Sequence, residues 1–334
     1  MHQMTKTVLI LGAGFSVAGG LPPTSKLMDG NVWLTSQERG RQVETVLDAW
    51  NEWSADQGAD VPEFLRACFK GEVKDPTDGL LPGGTLPWRW VAQYIAMRLS
   101  EHTTGARGGG TPRYYERIVQ PSRVGAHLQL LKDVVADSEL SGVVTTNYDL
   151  LAERALRHRP VHRWPVPGFY YAGLARPQLA RGTPGPWRNN PDLAAEVELT
   201  GDVPLCKLHG SLNWRRRVPL NVAHGATSDV SVWQDLRSSY RLDADPAIIA
   251  PIPELFPSRW LEPIWTQAKQ ILKNADHWIV VGYSMPQYDH AIRRLLAEAS
   301  RGQPITIRDP ASGEVAEGFS ALLPQVIVTP SLGI

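Results

Sequence analysis

Cysteine is almost missing from this chain: Cys68 and Cys206 are the only two in 334 residues. Far apart in sequence, they predict neither a disulfide framework nor a four-cysteine zinc site. An excess of charge of one sign is missing too. Lys and Arg number 34, Asp and Glu 34, so no global field draws the chain to nucleic acid or an anionic membrane. Neither is predicted as a partner. Long apolar runs are also lacking. The first, residues 8–11, is too short for a signal peptide, and none approaches the length of a membrane span. These absences predict a soluble, cytoplasmic protein. The nine histidines show no short ligand spacing, so no metal is predicted.

What is present is ordinary globular composition, 43% apolar and 20% charged, in a chain long enough to bury a large core. Short apolar runs at residues 8–11, 143–146, 204–208, 248–250, 278–281, 305–307 and 326–328 alternate with segments of helical length. Runs that do not alternate in polarity suit strands buried on both faces, as in a parallel sheet. Helices are predicted over 124–137, 148–157, 260–274 and 289–300, the last with Asp289 as N-cap. The rhythm predicts an α/β, doubly wound, mostly parallel sheet. Residues 25–120 read as a helical insertion, with helical spacing over 43–53, 62–69 and 88–99 and a flexible loop at 105–112. Irregular excursions follow at 158–200 and 214–245. The whole of 1–334 is expected to be one domain.

Four stretches carry chemistry. In "GAGFS" the loop Gly12-Ala13-Gly14 follows a strand and precedes a helix, a grammar that lets backbone N–H groups approach a phosphate. The dinucleotide fingerprint wants a third glycine where Val17 stands, so a hydride-transfer dehydrogenase is disfavoured. In "TTNYD" a strand delivers Asn147 and Asp149 at its carboxyl end, where open α/β sheets bind ligands; either side chain can equally cap the next helix. In "LHGSLNW" His209 stands past a strand and before Gly210, as a general base would. In "GYSMPQYD" a strand ends at Gly282 and Ser284, with backbone and hydroxyl groups suited to ribose or phosphate. After the next strand Asp309 stands where a carboxylate meets ribose hydroxyls.

This ordered set resembles the sirtuin-like superfamily, and within it the bacterial sirtuin-like NAD hydrolases of antiphage defence. The resemblance implies a Rossmann-like, sirtuin-type core with NAD as its substrate. It places Gly12, Ala13, Gly14, Phe15 and Ser16 in the pyrophosphate and ribose loop. It makes Asn147, Asp149 and His209 catalytic, with Thr146 beside them. Gly282, Tyr283, Ser284 and Asp309 then hold the adenosine half. Two departures bear on the activity: Thr146 replaces the family's Gln, and "GLPPTSKL" offers Thr24 and Ser25 where deacylase sirtuins carry Phe-Arg. With two cysteines the chain cannot build the two CxxC pairs of the deacylases' zinc module.

The resemblance therefore implies hydrolysis of NAD to nicotinamide and ADP-ribose. The implied setting is a regulated, NAD-depleting effector, controlled by homo-oligomerisation or by a partner protein. A protein deacylase and a non-catalytic NAD or ADP-ribose-binding subunit are the alternatives. A pure binding module has no need of a base, which favours an enzyme.

Overall fold

The computed structural model describes residues 4–29, 37–77, 83–104, 121–157, 169–174, 202–216, 230–232, 246–250, 260–324 and 326–331. In chain order β1 (Lys6–Leu11) leads into a short helix, α1 (Ala13–Ala18), and a 3-10 turn, Thr24–Lys26. Helices α2 (Gln37–Gln57), α3 (Val61–Lys70), α4 (Trp88–Thr104) and α5 (Pro121–Asp137) follow. Then come β2 (Glu139–Thr145), α6 (Leu151–Arg157), β3 (Phe169–Tyr171), β4 (Val203–Lys207), β5 (Gly210–Arg216), β6 (Val230–Val232) and β7 (Pro246–Ile248). The last third holds α7 (Glu262–Asn274), β8 (His277–Val281), α8 (His290–Ala299), β9 (Ile305–Arg308), α9 (Ser312–Leu322) and β10 (Val328–Ser331).

The predicted parallel sheet is present. Seven strands lie in the order β10-β9-β8-β1-β2-β4-β3, every neighbouring pair parallel, flanked by helices. β1 sits between β2 and β8, with Leu9 opposite Val143 on one side and Ile279 on the other. Its residues Thr7 to Leu11 are all buried, which is why the sequence shows an unbroken apolar run rather than alternation. From β1 the chain builds outward through β2 and β4 on one side, then returns to build β8, β9 and β10 on the other. The connections diverge at β1, so a crevice opens over the carboxyl ends of β1, β2 and β8.

The helical insertion has its own core. Val43, Val46 and Trp50 of α2, Phe64 and Leu65 of α3, and Val91, Tyr94 and Ile95 of α4 pack with Leu27 and Met28. Leu212, Ile248 and Ala250 complete this cluster, so its far wall is a second, antiparallel sheet in the order β6-β5-β7. α3 shows why these segments are helical: Asp60 caps it by accepting the Glu63 N–H at 3.1 Å, and Gly71 ends it in the left-handed region at φ 72°.

Several boundaries differ from expectation for physical reasons. The 248–250 run does not join the parallel sheet; its strand is Pro246–Ile248, paired antiparallel to β5. β3 lies inside the Pro- and Arg-rich excursion and forms one edge of the parallel sheet, while β5 and β6 lie in or overlap the second excursion. α6 begins at Leu151 rather than 148, because the preceding residues form the site loop. The final strand is Val328–Ser331, two residues later than its apolar run, and α9 is an unanticipated helix before it. The loop expected at 105–112 lies outside the described residues. Among the described residues no helix is long and apolar enough to cross a membrane. Among them, too, no group of three or more His, Cys, Asp or Glu is placed to hold a metal ion.

Candidate functional site

A cavity of about 390 Å³ occupies the crevice over the strand ends, within the range of small-molecule sites. Two glycine loops make its floor. The Gly12 N–H donates to Val281 O at 3.0 Å and the Gly14 N–H to Gly282 O at 2.8 Å. A Cβ on Gly14 would stand 2.6 Å from Gly282 Cα, and one on Gly282, at φ +61°, only 2.2 Å from Phe15 N. The glycines therefore let the loops after β1 and β8 touch. The Gly12 and Gly14 N–H groups, expected to face a phosphate, are engaged in joining those loops, and the Gly282 N–H donates to Arg308 O at 3.2 Å.

The loop after β2 carries the polar centre. Asn147 Nδ2 donates to Gly12 O at 2.8 Å and to Ser16 Oγ at 2.9 Å. Because a carbonyl only accepts, this fixes which end of the amide faces the loop. Asn147 Oδ1 has no protein partner among the described residues, and Asn147 lines the cavity. Ser16 in turn donates to Asp149 Oδ2 at 2.6 Å, and Asp149 Oδ1 accepts the Leu151 N–H at 2.9 Å. Asp149 thus makes the structural contacts open for this stretch, holding Ser16 and the start of α6, and it also lines the cavity.

His209 is reached from β4. Its carbonyl accepts the Ile249 N–H at 2.9 Å, and the Leu208 N–H is tied to Thr145 O at 2.9 Å. Gly210 is required here by protein rather than ligand, since a Cβ would stand 2.0 Å from Ala247 O. Only 6% of His209 is exposed. Burial holds its imidazole below the ordinary histidine pKa, while the Asp289 carboxylate and a backbone hydrogen bond with Thr146 pull the other way. At neutral pH this favours an unprotonated ring, able to accept a proton.

Asp289 stands at the N-cap position of α8, as its place in the sequence predicted, but its side chain has other contacts. Its carboxylate makes no well-aligned cap hydrogen bond to α8, although the Ile292 N–H of the first turn is near enough to favour the charged form. The residue is buried, lines the cavity, and accepts the Tyr283 Oη–H at 2.8 Å. Burial pushes its carboxyl pKa up, and His209 and the Tyr283 hydrogen bond oppose that. Tyr288, beside it, is pushed up to about 12, mainly by burial.

Beneath the Asn147 loop lies a buried ion pair. Lys207 Nζ donates to Glu153 Oε1 at 2.8 Å, to Tyr148 O at 3.4 Å and also to Asp149 O. Tyr171 Oη donates to the same Glu153 oxygen at 3.0 Å. Lys207 is fully buried and interrupts the apolar run of β4, a signal that the sequence displays but that needs Glu153 across the fold to interpret.

Of the residues singled out beforehand, Ala13, Gly14, Ser16, Thr146, Asn147, Asp149, His209, Gly282, Tyr283, Ser284 and Asp309 line this one cavity. Gly12 and Phe15 do not; Phe15 is buried edge-on against His127, 4.3 Å between ring centres, and its carbonyl bonds His127 Nε2 at 2.7 Å. Asp309 Oδ1 accepts the Ala311 N–H at 2.8 Å. Thr24 and Ser25 also line the cavity, with Leu65 and Leu99 reaching it from the helical insertion. The lining contains three aspartates and no described Lys or Arg.

Comparison with curated proteins gives no match. Among solved structures, one from work on the mechanism and regulation of Sir2 enzymes aligns at 15% identity and TM-score 0.41, over 98% of this chain and 87% of that one. A Sir2 homolog–NAD complex aligns at 14% identity and TM-score 0.39, over 98% and 84%. At those scores neither likeness carries an argument. The sequence profile of the SIR2-like domain, by contrast, matches residues 141–311, just over half of the chain, including every cavity-lining residue from Thr146 to Asp309 but none of those before it. The chain belongs to the SIR2-like domain family.

Proposed function

We propose that this protein is an NAD glycohydrolase, cleaving the nicotinamide–ribose bond of NAD to nicotinamide and ADP-ribose. One observation carries the reading: Asn147, its Oδ1 without a partner among the described residues, and the buried His209 come from different strands to line one cavity. Family membership supports NAD as the ligand.

Nicotinamide leaves as a neutral molecule from a cationic ring, so the breaking bond asks mainly for orientation and a nucleophile. Asn147 Oδ1 accepts from a ribose hydroxyl or from the attacking water. His209 takes the proton that water loses as its oxygen bonds to the anomeric carbon, while the bonding pair leaves with the ring nitrogen. The carboxylate-lined cavity favours the positive charge that builds on the ribose. Ser284, Thr24 and Ser25 offer hydroxyl donors for the diphosphate, and Asp309 accepts from ribose hydroxyls.

The chain works as one unit in this reading, because the insertion contributes Leu65 and Leu99 to the cavity wall. In its cell it acts as an NAD-depleting effector of antiphage defence, held in check by self-association or a partner protein, since unregulated hydrolysis would harm its host. The test is incubation of purified protein with NAD, with nicotinamide and linear and cyclic ADP-ribose separated by chromatography. Turnover abolished in Asn147→Ala and His209→Ala, both folded, is the expected result. Turnover that requires an acyl-lysine peptide and yields acylated ADP-ribose would overturn hydrolysis in favour of deacylation.

A further inference from the structure

We infer that Asp289, rather than Asp149, is the carboxylate partner of His209: a positioning residue, itself oriented by Tyr283, that steadies the charge the imidazole takes on. The inference rests on the proposed role of His209 as base. Asp149 has one oxygen on Ser16 at 2.6 Å and the other on the Leu151 N–H at 2.9 Å, both bonds local to its own loop and α1. Asp289 is only 5% exposed and lines the same cavity as His209. Its Oδ2 accepts from Tyr283 at 2.8 Å, and Tyr283 follows Gly282, the residue locked against Gly14. The orienting group is thus anchored to the centre of the sheet.

A carboxylate this deep costs stability unless it meets a charge or donors. Asp289 stands at the N-cap of α8, where the Ile292 N–H favours its charged form, yet its Oδ2 is taken up by Tyr283 and it lines the cavity with His209, so beginning the helix does not exhaust its contacts. The neighbours explain the position. The titratable groups around His209 are Asp289 and Tyr288 ahead of α8, Tyr283 after β8, Tyr148 and Asp149 after β2, and Asp309 after β9, with the Lys207–Glu153 pair beneath. Of these, the Asp289 carboxylate is the charge that His209 feels most, and His209 is the charge that Asp289 feels most. When His209 accepts a proton, a neutral and an anionic partner become an ion pair.

The test follows the His209 imidazole by NMR titration, its signals assigned with His209→Gln, in the wild type, Asp289→Asn and Tyr283→Phe. Asp289→Asn should move the His209 titration to lower pH and lower turnover of NAD by about 10- to 100-fold, a share of what proton transfer contributes. KM for NAD should change far less. The melting temperature should hold or rise, since the amide removes a buried charge while still accepting from Tyr283. Tyr283→Phe should shift the titration the same way by less, which also covers the case in which Asp289→Asn does not fold. An unmoved His209 titration in either folded variant, or a larger shift in Asp149→Asn, would overturn the pairing. The titration needs no NAD turnover, so failure of the hydrolase reading and failure of this pairing are separate results.

Discussion

Replacing Lys207 by Met isolates the charge beneath the site while keeping the length and apolar stem of the side chain. In the native fold the ammonium meets Glu153 Oε1 at 2.8 Å, with both side chains buried, and also holds the carbonyls of Tyr148 and Asp149. Without it, Glu153 retains, among the described residues, only the Tyr171 hydroxyl at 3.0 Å, and its other oxygen, Oε2, already has no partner there. Removing one member of a buried pair leaves an uncompensated charge, at a cost of about 3–5 kcal/mol. Removing both charges is often close to neutral, so Lys207→Met with Glu153→Gln should recover most of that loss. Urea unfolding of the wild type, both single variants and the double variant closes a thermodynamic cycle. A Lys207→Met cost under about 1 kcal/mol, or two costs that simply add, would refute the account of this pair. The same cycle bears on the site, because the two carbonyls Lys207 holds flank the Asn147 loop. The double variant should regain stability before it regains turnover.

Gly282→Ala places a methyl group 2.2 Å from Phe15 N at a residue with φ +61°, so backbone must move. It should cost about 1–3 kcal/mol and abolish saturable NAD binding by calorimetry; unchanged affinity would mean that the two loops need not touch. Acid stability offers a second measurement. Burial lowers the pKa of His209 and of the half-buried His277, so below the unfolded value of about 6.5 the unfolded chain binds protons that the fold does not. These two residues therefore make stability fall as pH drops through that window. Asp289, shifted upward, acts with the opposite sign, so the comparison is between chains. The His209→Gln, His277→Gln variant should lose less melting temperature between pH 7 and 5 than the wild type, on the order of a few degrees; an equal or larger loss would refute the burial argument.

The parallel sheet was legible because burial on both faces leaves a plain mark, an apolar run without alternation, and because ligand-facing residues stand where such runs stop. Asn147 and His209, which that rule singles out, line one cavity. β3 escaped it because three residues, Phe169–Tyr171, among prolines and arginines give no periodicity to read. The antiparallel sheet escaped it because β5 and β7 are set by Gly210 packing on Ala247, a contact between residues 37 apart. The glycines of the first loop were legible as special, but not as partners of Gly282, since only the β1–β8 pairing puts them together.

The two aspartates show where local reading stops. Each stands one or two residues before an amphipathic helix, so each satisfies the N-cap pattern, and a carboxylate near a strand end also satisfies the pattern of a site residue. The pattern cannot separate them, because both roles ask for the same group at the same offset. The separation comes from what the rest of the chain brings to each. Ser16, from the first loop, takes up one oxygen of Asp149, and the Leu151 N–H takes up the other. Tyr283 reaches Asp289 within the same loop and holds its Oδ2 beside the cavity. That second contact is only six residues long in sequence, yet it is invisible there, since it depends on β8 ending at Gly282 with a left-handed φ and on Met285 at φ 51° bending the chain back. A non-glycine residue in that region is strained, and such strain persists where the surroundings over-determine it. Here they do: Met285 is buried, and its carbonyl accepts from Arg293 at 3.3 Å. The bend is thus held in place, and with it the carboxylate that faces the cavity.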